Sequence, residues 1–157
     1  EGYRKALACN PDHGDAWIRL VYLSSNASDR SILSQAPPSF VASHFDGLAG
    51  SFDDLMQSIE YMAATSLASL VHESHFSERE DLKVLDLGCG SGLLAEALAS
   101  RLLRFSKLEG VDISPKMLQK ARDRGLYSSL VESDILRFVT NTPDSPLDRF
   151  DLMAMTD

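Results

Sequence analysis

Residues 84–98 read VLDLGCGSGLLAEAL, and Gly88, Gly90 and Gly92 fall at every second position directly after an apolar run interrupted only by Asp86. This spacing predicts a strand turning sharply into a helix, with backbone N–H groups left clear of side chains at the helix start. Two further carboxylates follow, Asp112 twenty residues after Gly92, and Asp134. The spacing fits neither common nucleotide motif. A dinucleotide fingerprint G-x-G-x-x-G places its third glycine at position 93, which is Leu93, and a P-loop needs G-K-[ST], whereas no lysine lies between Lys83 and Lys107. Asp86 also opposes a pyrophosphate pressed against the turn. A ligand with a cationic centre, an ammonium group and a single carboxylate tolerates Asp86 and can place its carboxylate near the helix N-terminus.

These residues need elements to hold them. From position 82 onward, short β-prone runs at 83–87, 108–113, 127–131 and 150–155 alternate with helical stretches at 93–103, 115–124 and 135–140. The pattern βαβαβαβ calls for a parallel sheet with right-handed crossovers, in which ligands sit beyond the carboxyl ends of the strands, at the first strand-to-helix turn. The second helix carries its own punctuation: Ser114 as cap, Pro115 in the first turn and Gly125 as stop. On that topology Asp112 ends the second strand, where it can accept both hydroxyls of a ribose, and Asp134 lies past the third, where it can accept from an adenine amino group. Upstream, residues 40–71 carry Phe45, Leu48, Phe52, Leu55, Met56, Ile59, Met62, Leu67 and Leu70 at mostly three- and four-residue spacing. One broken helix or two successive helices are expected, with Gly47 and Gly50 at the weak point and Phe45 and Phe52 on one face if the helix continues through them.

S-adenosyl-L-methionine has the ligand features just derived, although the ribose contact alone suits NAD equally well. The stretches VLDLGCGSG, GVDISPKML, ESDI and FDLMAMTD occur in the order seen in class I S-adenosylmethionine-dependent methyltransferases, which the chain resembles in four motifs in register. The resemblance implies a Rossmann-like α/β fold in which Asp86 and the backbone of Gly88, Gly90 and Gly92 hold the methionine part, Asp112 the ribose, and Ile113 and Asp134 the adenine. It extends the cofactor-binding set to Cys89, Met117 and Ile135. The family has seven strands in spatial order 3-2-1-4-5-7-6, of which this sequence carries the first four, so the strands that usually shape the acceptor pocket are outside it. The stretch FVASHFDGLAGSFDDLMQSIEYMAATSLASLV is similar to the helical segment that covers the cofactor in tetratricopeptide-repeat-containing members. YRKALACNPDHGDAWIRLVYL resembles the junction between two such repeats, although the Gly and Tyr positions after Trp-x-x-Leu are not satisfied. The implied organisation is a repeat-like hairpin at 1–23, a Ser-rich linker at 24–39 containing Pro37-Pro38, and a methyltransferase domain at 40–157, with cover helices at 40–75 and the Rossmann-like portion, truncated, at 82–157.

Composition bounds the function. The chain of 157 residues carries a net charge of −8, which argues against nucleic acid as a partner, because phosphate binding relies on Lys and Arg displacing counterions. No stretch is apolar and long enough to span a bilayer, and Cys9 and Cys89 give no disulfide framework, so a reducing, cytoplasmic setting is expected. Neither Glu1 nor Asp157 looks like a natural terminus, which points to a fragment. Other chemistry-bearing residues read as structural: Cys89 has no base near it in sequence, His72 and His75 lack a metal-ligand set, and Trp17 reads as helix packing. His44 falls in the cover-like segment. The reading is methyl transfer from S-adenosyl-L-methionine to a small-molecule or protein acceptor, with no catalytic base singled out and a protein partner for the repeat-like region. The alternatives are a noncatalytic interaction protein with a Rossmann-type scaffold and an NAD-dependent oxidoreductase.

Overall fold

The computed structural model describes residues 1–24, 36–101, 103–141 and 149–156. The chain forms two compact units, Glu1–Phe45 and Asp46–Asp157. In the first, α1 (Gly2–Cys9) and α2 (Gly14–Leu23) make a helical hairpin around Leu7, Ala16 and Leu20, with Trp17 packed against them. The Trp17 ring also lies 5.3 Å from that of Phe40, the packing role expected of it. Asp12, in the hairpin turn, accepts from the Ser39 N–H at 3.0 Å, and its carbonyl accepts from the Ser39 hydroxyl at 2.7 Å. Ser39 belongs to α3 (Pro38–Leu48), which starts inside the expected linker; residues 25–35 of that linker lie outside the described residues.

The stretch 40–71 is divided into more helices than its spacing indicates. Besides α3 it contains α4 (Phe52–Ser58) and the greater part of α5 (Ala63–Glu73). The first break falls at Gly50, as expected, so the helix does not continue through the glycines and the condition for Phe45 and Phe52 sharing a face is not met. The second break has no glycine to mark it. It turns at Glu60, which takes φ 53°, a left-handed conformation uncommon for a side-chain-bearing residue.

The second unit holds a four-stranded parallel sheet, β1 (Leu82–Leu87), β2 (Phe105–Asp112), β3 (Ser129–Glu132) and β4 (Leu152–Ala154), in spatial order β3-β2-β1-β4. The crossovers are α6 (Leu93–Ser100), α7 (Pro115–Asp123) and α8 (Ile135–Asn141). The alternation of side chains along each strand sends Leu82, Val84, Leu108 and Ala154 into a core with α6 and α5, and Leu85 and Val111 into a second cluster, joined by Phe150 ahead of β4 and by Phe138 of α8. Small residues let α5 approach closely, since Ala64 and Ala68 pack with Leu94, Ala95 and Leu98 of α6. The parallel direction of the strands matches the sequence pattern, their order is that of the first four strands in the family the chain resembles, and both faces are covered, as parallel strands require.

Candidate functional site

The glycine turn is built by the backbone. After β1, Gly88, Gly90 and Gly92 all take positive φ, at 72°, 53° and 90°. The N–H groups of Gly88 and Cys89 both donate to the Val111 carbonyl, and Gly92 N–H donates back to Cys89 O, which closes the turn against β2 and opens α6. A Cβ at Gly90 would meet nothing nearer than 4.0 Å. The chain is therefore bare on that side, open to a ligand.

Asp112 ends β2 and ties this turn to the next one. One oxygen accepts from Gly90 N–H and the other from Ser114 N–H, each at 2.8 Å. Burial pushes its carboxyl above the usual carboxylate range, against the lowering effect of the backbone N–H groups of Ser114, Gly90 and Ile113. Ser114 then caps α7 by accepting from Met117 N–H, and Gly125 at φ 67° follows the end of that helix. Met117 is buried, while Ile113 and Ile135 are half-buried. Asp134 caps α8, its Oδ1 accepting from Arg137 N–H at 3.0 Å.

Both strand-end carboxylates lie inside the fold, Asp86 with 0% exposure and Asp112 with 8%. In the register of the sheet Asp86 pairs with Gly110, and the space that a side chain at Gly110 would fill is taken by the ring of Tyr127, whose hydroxyl donates to Asp86 Oδ2 at 2.6 Å. Asp86 Oδ1 is buried without a hydrogen-bond partner. Burial pushes the Asp86 carboxyl up to about 6, with the Tyr127 hydrogen bond opposing the rise and the Asp112 charge adding to it. The Cys89 thiol is likewise raised by burial and by the charges of Asp86 and Asp112, which leaves it protonated and inert as a nucleophile.

Three side chains that the sequence did not single out strap residues 46–61 across the carboxyl ends of the strands. Asp46 Oδ1 accepts from Ser114 Oγ at 2.6 Å and from Lys116 N–H at 3.1 Å, at the start of α7. Asp53, on α4, accepts from Ser91 Oγ inside the glycine turn at 2.5 Å and pairs with Arg124 at 3.0 Å and Lys120 at 3.2 Å. Burial alone would raise the Asp53 carboxyl, but the Ser91 and Lys120 hydrogen bonds and the two cations outweigh it and hold the carboxyl low. Arg124 also donates to the Ser91 carbonyl at 2.7 Å and pairs with Glu96. Tyr61 donates its hydroxyl to Thr156 O, just past β4. The sequence offers two hints at this strap, acidic residues seven apart in a helical segment and a serine between the turn glycines. His72 and His75 are exposed, and among the described residues no group of three His, Cys, Asp or Glu side chains could hold a metal ion. No helix among them is long and apolar enough to cross a membrane.

The sheet order and the glycine turn at the end of its first strand are those of a Rossmann-like fold, in which ligands sit beyond the carboxyl ends of the strands. More narrowly, residues 84–157 match the methyltransferase domain family, and the fold is that of class I methyltransferases. A candidate S-adenosyl-L-methionine-dependent methyltransferase from Methanococcus maripaludis superposes with a TM-score of 0.52 at 23% identity, covering 70% of this chain and 49% of that one. The DhpI-SAM-HEP complex gives a TM-score of 0.50 at 21% identity, covering 72% and 47%. An uncharacterised methyltransferase of Schizosaccharomyces pombe is 33% identical over 79 residues, 50% of this chain and 28% of that protein. The chain spans about a quarter of the length of the curated relatives it matches.

The buried Asp86 has a consequence for stability. Its carboxyl titrates at about 6 in the folded chain against 3.8 for the ordinary group, so the folded state holds the proton more tightly. Stability contributed by the protonated form is present at low pH and lost as pH rises from about 4 to about 6, a cost on the order of 3 kcal/mol above that range. Asp86→Asn, which mimics the protonated form, is expected to melt higher than the parent at pH 7.5 and equally at pH 4. Thermal denaturation at the two pH values checks this, and a variant less stable at pH 7.5 contradicts it.

Proposed function

We propose that the chain binds S-adenosyl-L-methionine at the glycine turn and forms the cofactor half of a methyltransferase. The observation that carries this reading is the buried, unpartnered Oδ1 of Asp86 beside the turn. A buried acceptor without a donor is costly. An ammonium group supplies that donor and a compensating positive charge, whereas a pyrophosphate supplies neither, which is why the oxidoreductase alternative is disfavoured. Asp112 takes the ribose hydroxyls with the acceptor capacity left on its two oxygens, since each carboxylate oxygen has a second lone pair. Asp134 and Ile113 flank the adenine, and Ile135 and Met117 complete its surroundings. The cofactor, when bound, supplies a methyl group on a sulfonium for in-line displacement. The residues of this chain contribute position and the exclusion of water. The strap from Asp46 to Tyr61 serves as a cover for the cofactor, a reading supported by its contacts to Ser114, Ser91 and Thr156.

The acceptor is a small molecule or a protein. We read the N-terminal hairpin as a tetratricopeptide-type element for a protein partner, on the helix-turn-helix of α1 and α2 and the exposed Tyr22 and Leu23. A cytoplasmic setting accords with Cys9 and Cys89, which are free thiols.

Calorimetric titration with S-adenosylhomocysteine tests the ribose assignment. Hydrogen bonds to a charged partner are worth roughly 1.5–3 kcal/mol, so Asp112→Ala is expected to weaken binding on the order of tenfold to a hundredfold with circular dichroism intact. Because Asp112 also tethers Gly90 and Ser114, the 2′-deoxy analogue is the control. The parent chain discriminates against it and the variant does not; unchanged affinity in the variant removes the assignment. Hydrogen exchange tests the strap: S-adenosylhomocysteine is expected to add protection over residues 46–61, and no change there places the segment outside the site.

A further inference from the structure

We propose that Tyr127 is a positioning residue for the methionine end of the cofactor, its hydroxyl fixing the Asp86 carboxylate so that Oδ1 stays free to accept from the ligand's ammonium group. This rests on the cofactor reading above. Tyr127 lies in the short connection between α7 and β3, and two glycines set the height of its ring. A Cβ at Gly110 would stand 2.8 Å from Tyr127 Cε1, and one at Gly92 would stand 3.2 Å from Cε2. Cys89 Sγ, 2.9 Å from the same point at Gly110, closes the remaining side. The phenol has one proton to donate and gives it to Asp86 Oδ2, which leaves Oδ1 as the acceptor without a partner.

The charged and titratable groups around this pair explain why the phenol matters. From the turn, Cys89 stays a neutral thiol; from the end of β2, the Asp112 carboxyl opposes ionisation of Asp86. From the end of α7, the positive charge of Arg124 acts on Tyr127, but its guanidinium is engaged by Asp53, Glu96 and the Ser91 carbonyl. The Tyr127 hydrogen bond is the interaction that favours the ionised form of Asp86. A residue that merely filled the space over Gly110 would not need the oxygen.

The test is made on the full chain with Tyr127→Phe, which keeps the ring. Carbon-13 NMR of the Asp86 carboxyl in ligand-free protein is expected to show its titration midpoint raised by about one pH unit or more in the variant. Calorimetric titration with S-adenosylhomocysteine from pH 5.5 to 8.5 is expected to show affinity about threefold below the parent near pH 6.5, with the gap widening toward tenfold at pH 5.5 and closing by pH 8.5. A loss equal at every pH, or no loss, overturns the proposal and leaves Tyr127 a packing residue. Asp86→Asn supplies a second arm should the phenylalanine variant fold poorly. Its affinity is expected to be flat over the same range, and a pH dependence equal to the parent's overturns the proposal. A parent chain that does not bind S-adenosylhomocysteine at any pH fails the cofactor reading itself, whereas a parent that binds alongside a pH-independent variant effect fails only the role of Tyr127.

Discussion

The Asp86 carboxylate is enclosed where β1 gives way to the glycine turn, and an ionisable group in that position has to be answered by its surroundings. Each neighbour bears on that condition. Gly110, its partner in the sheet register, gives up a side chain so that the Tyr127 ring can reach Asp86 Oδ2. Gly92 does the same on the opposite edge of the ring while its left-handed backbone opens α6. Half of the carboxylate is satisfied in this way and half is not. Proteins accept such a deficit where a ligand completes it, so the instability built in at Asp86 and the affinity proposed for the turn are two aspects of one arrangement.

Around this centre the other carboxylates organise backbone. Asp112 takes N–H groups from two successive strand-to-helix turns and so locks the glycine turn to the start of α7. Asp46 joins Ser114 at that same helix start, where negative charge is favoured. Asp53 reaches Ser91 within the turn and is balanced by Lys120 and Arg124. The acidic surplus of the chain, with 23 acidic against 15 basic residues, is thus put partly to internal use at the carboxyl edge of the sheet.

What could be read in the sequence was what depends on local pattern. The change of period near position 82, the glycines at 88, 90 and 92, and the Ser114-Pro115 to Gly125 punctuation each act within a turn or two; the parallel direction of the strands followed from the alternation of strand and helix, and their order only from the family resemblance. What escaped depends on partners distant in the chain. Asp53 and Arg124 are 71 residues apart, Asp46 and Ser114 are 68 apart, and Asp86 and Tyr127 are 41 apart. Such residues look like ordinary surface charges, or like the start of a strand, until the fold joins them. Tyr127 was read as the first residue of the third strand, yet β3 starts at Ser129 and the tyrosine is free to turn inward. Gly110 was the available signal, since a glycine inside a buried strand marks close approach by something else. The break at Glu60 escaped for the opposite reason: a left-handed residue that is not glycine carries no local mark.

On the proposed reading, the buried carboxylate and the absence of a third fingerprint glycine select a sulfonium- or thioether-linked nucleoside carrying an ammonium group over a dinucleotide. Thermal-shift measurement with S-adenosylhomocysteine and NAD in parallel is the most direct test. Saturating S-adenosylhomocysteine is expected to raise the melting temperature while NAD leaves it unchanged, because only a ligand that binds the folded state shifts it. Stabilisation by NAD without stabilisation by S-adenosylhomocysteine would contradict the account.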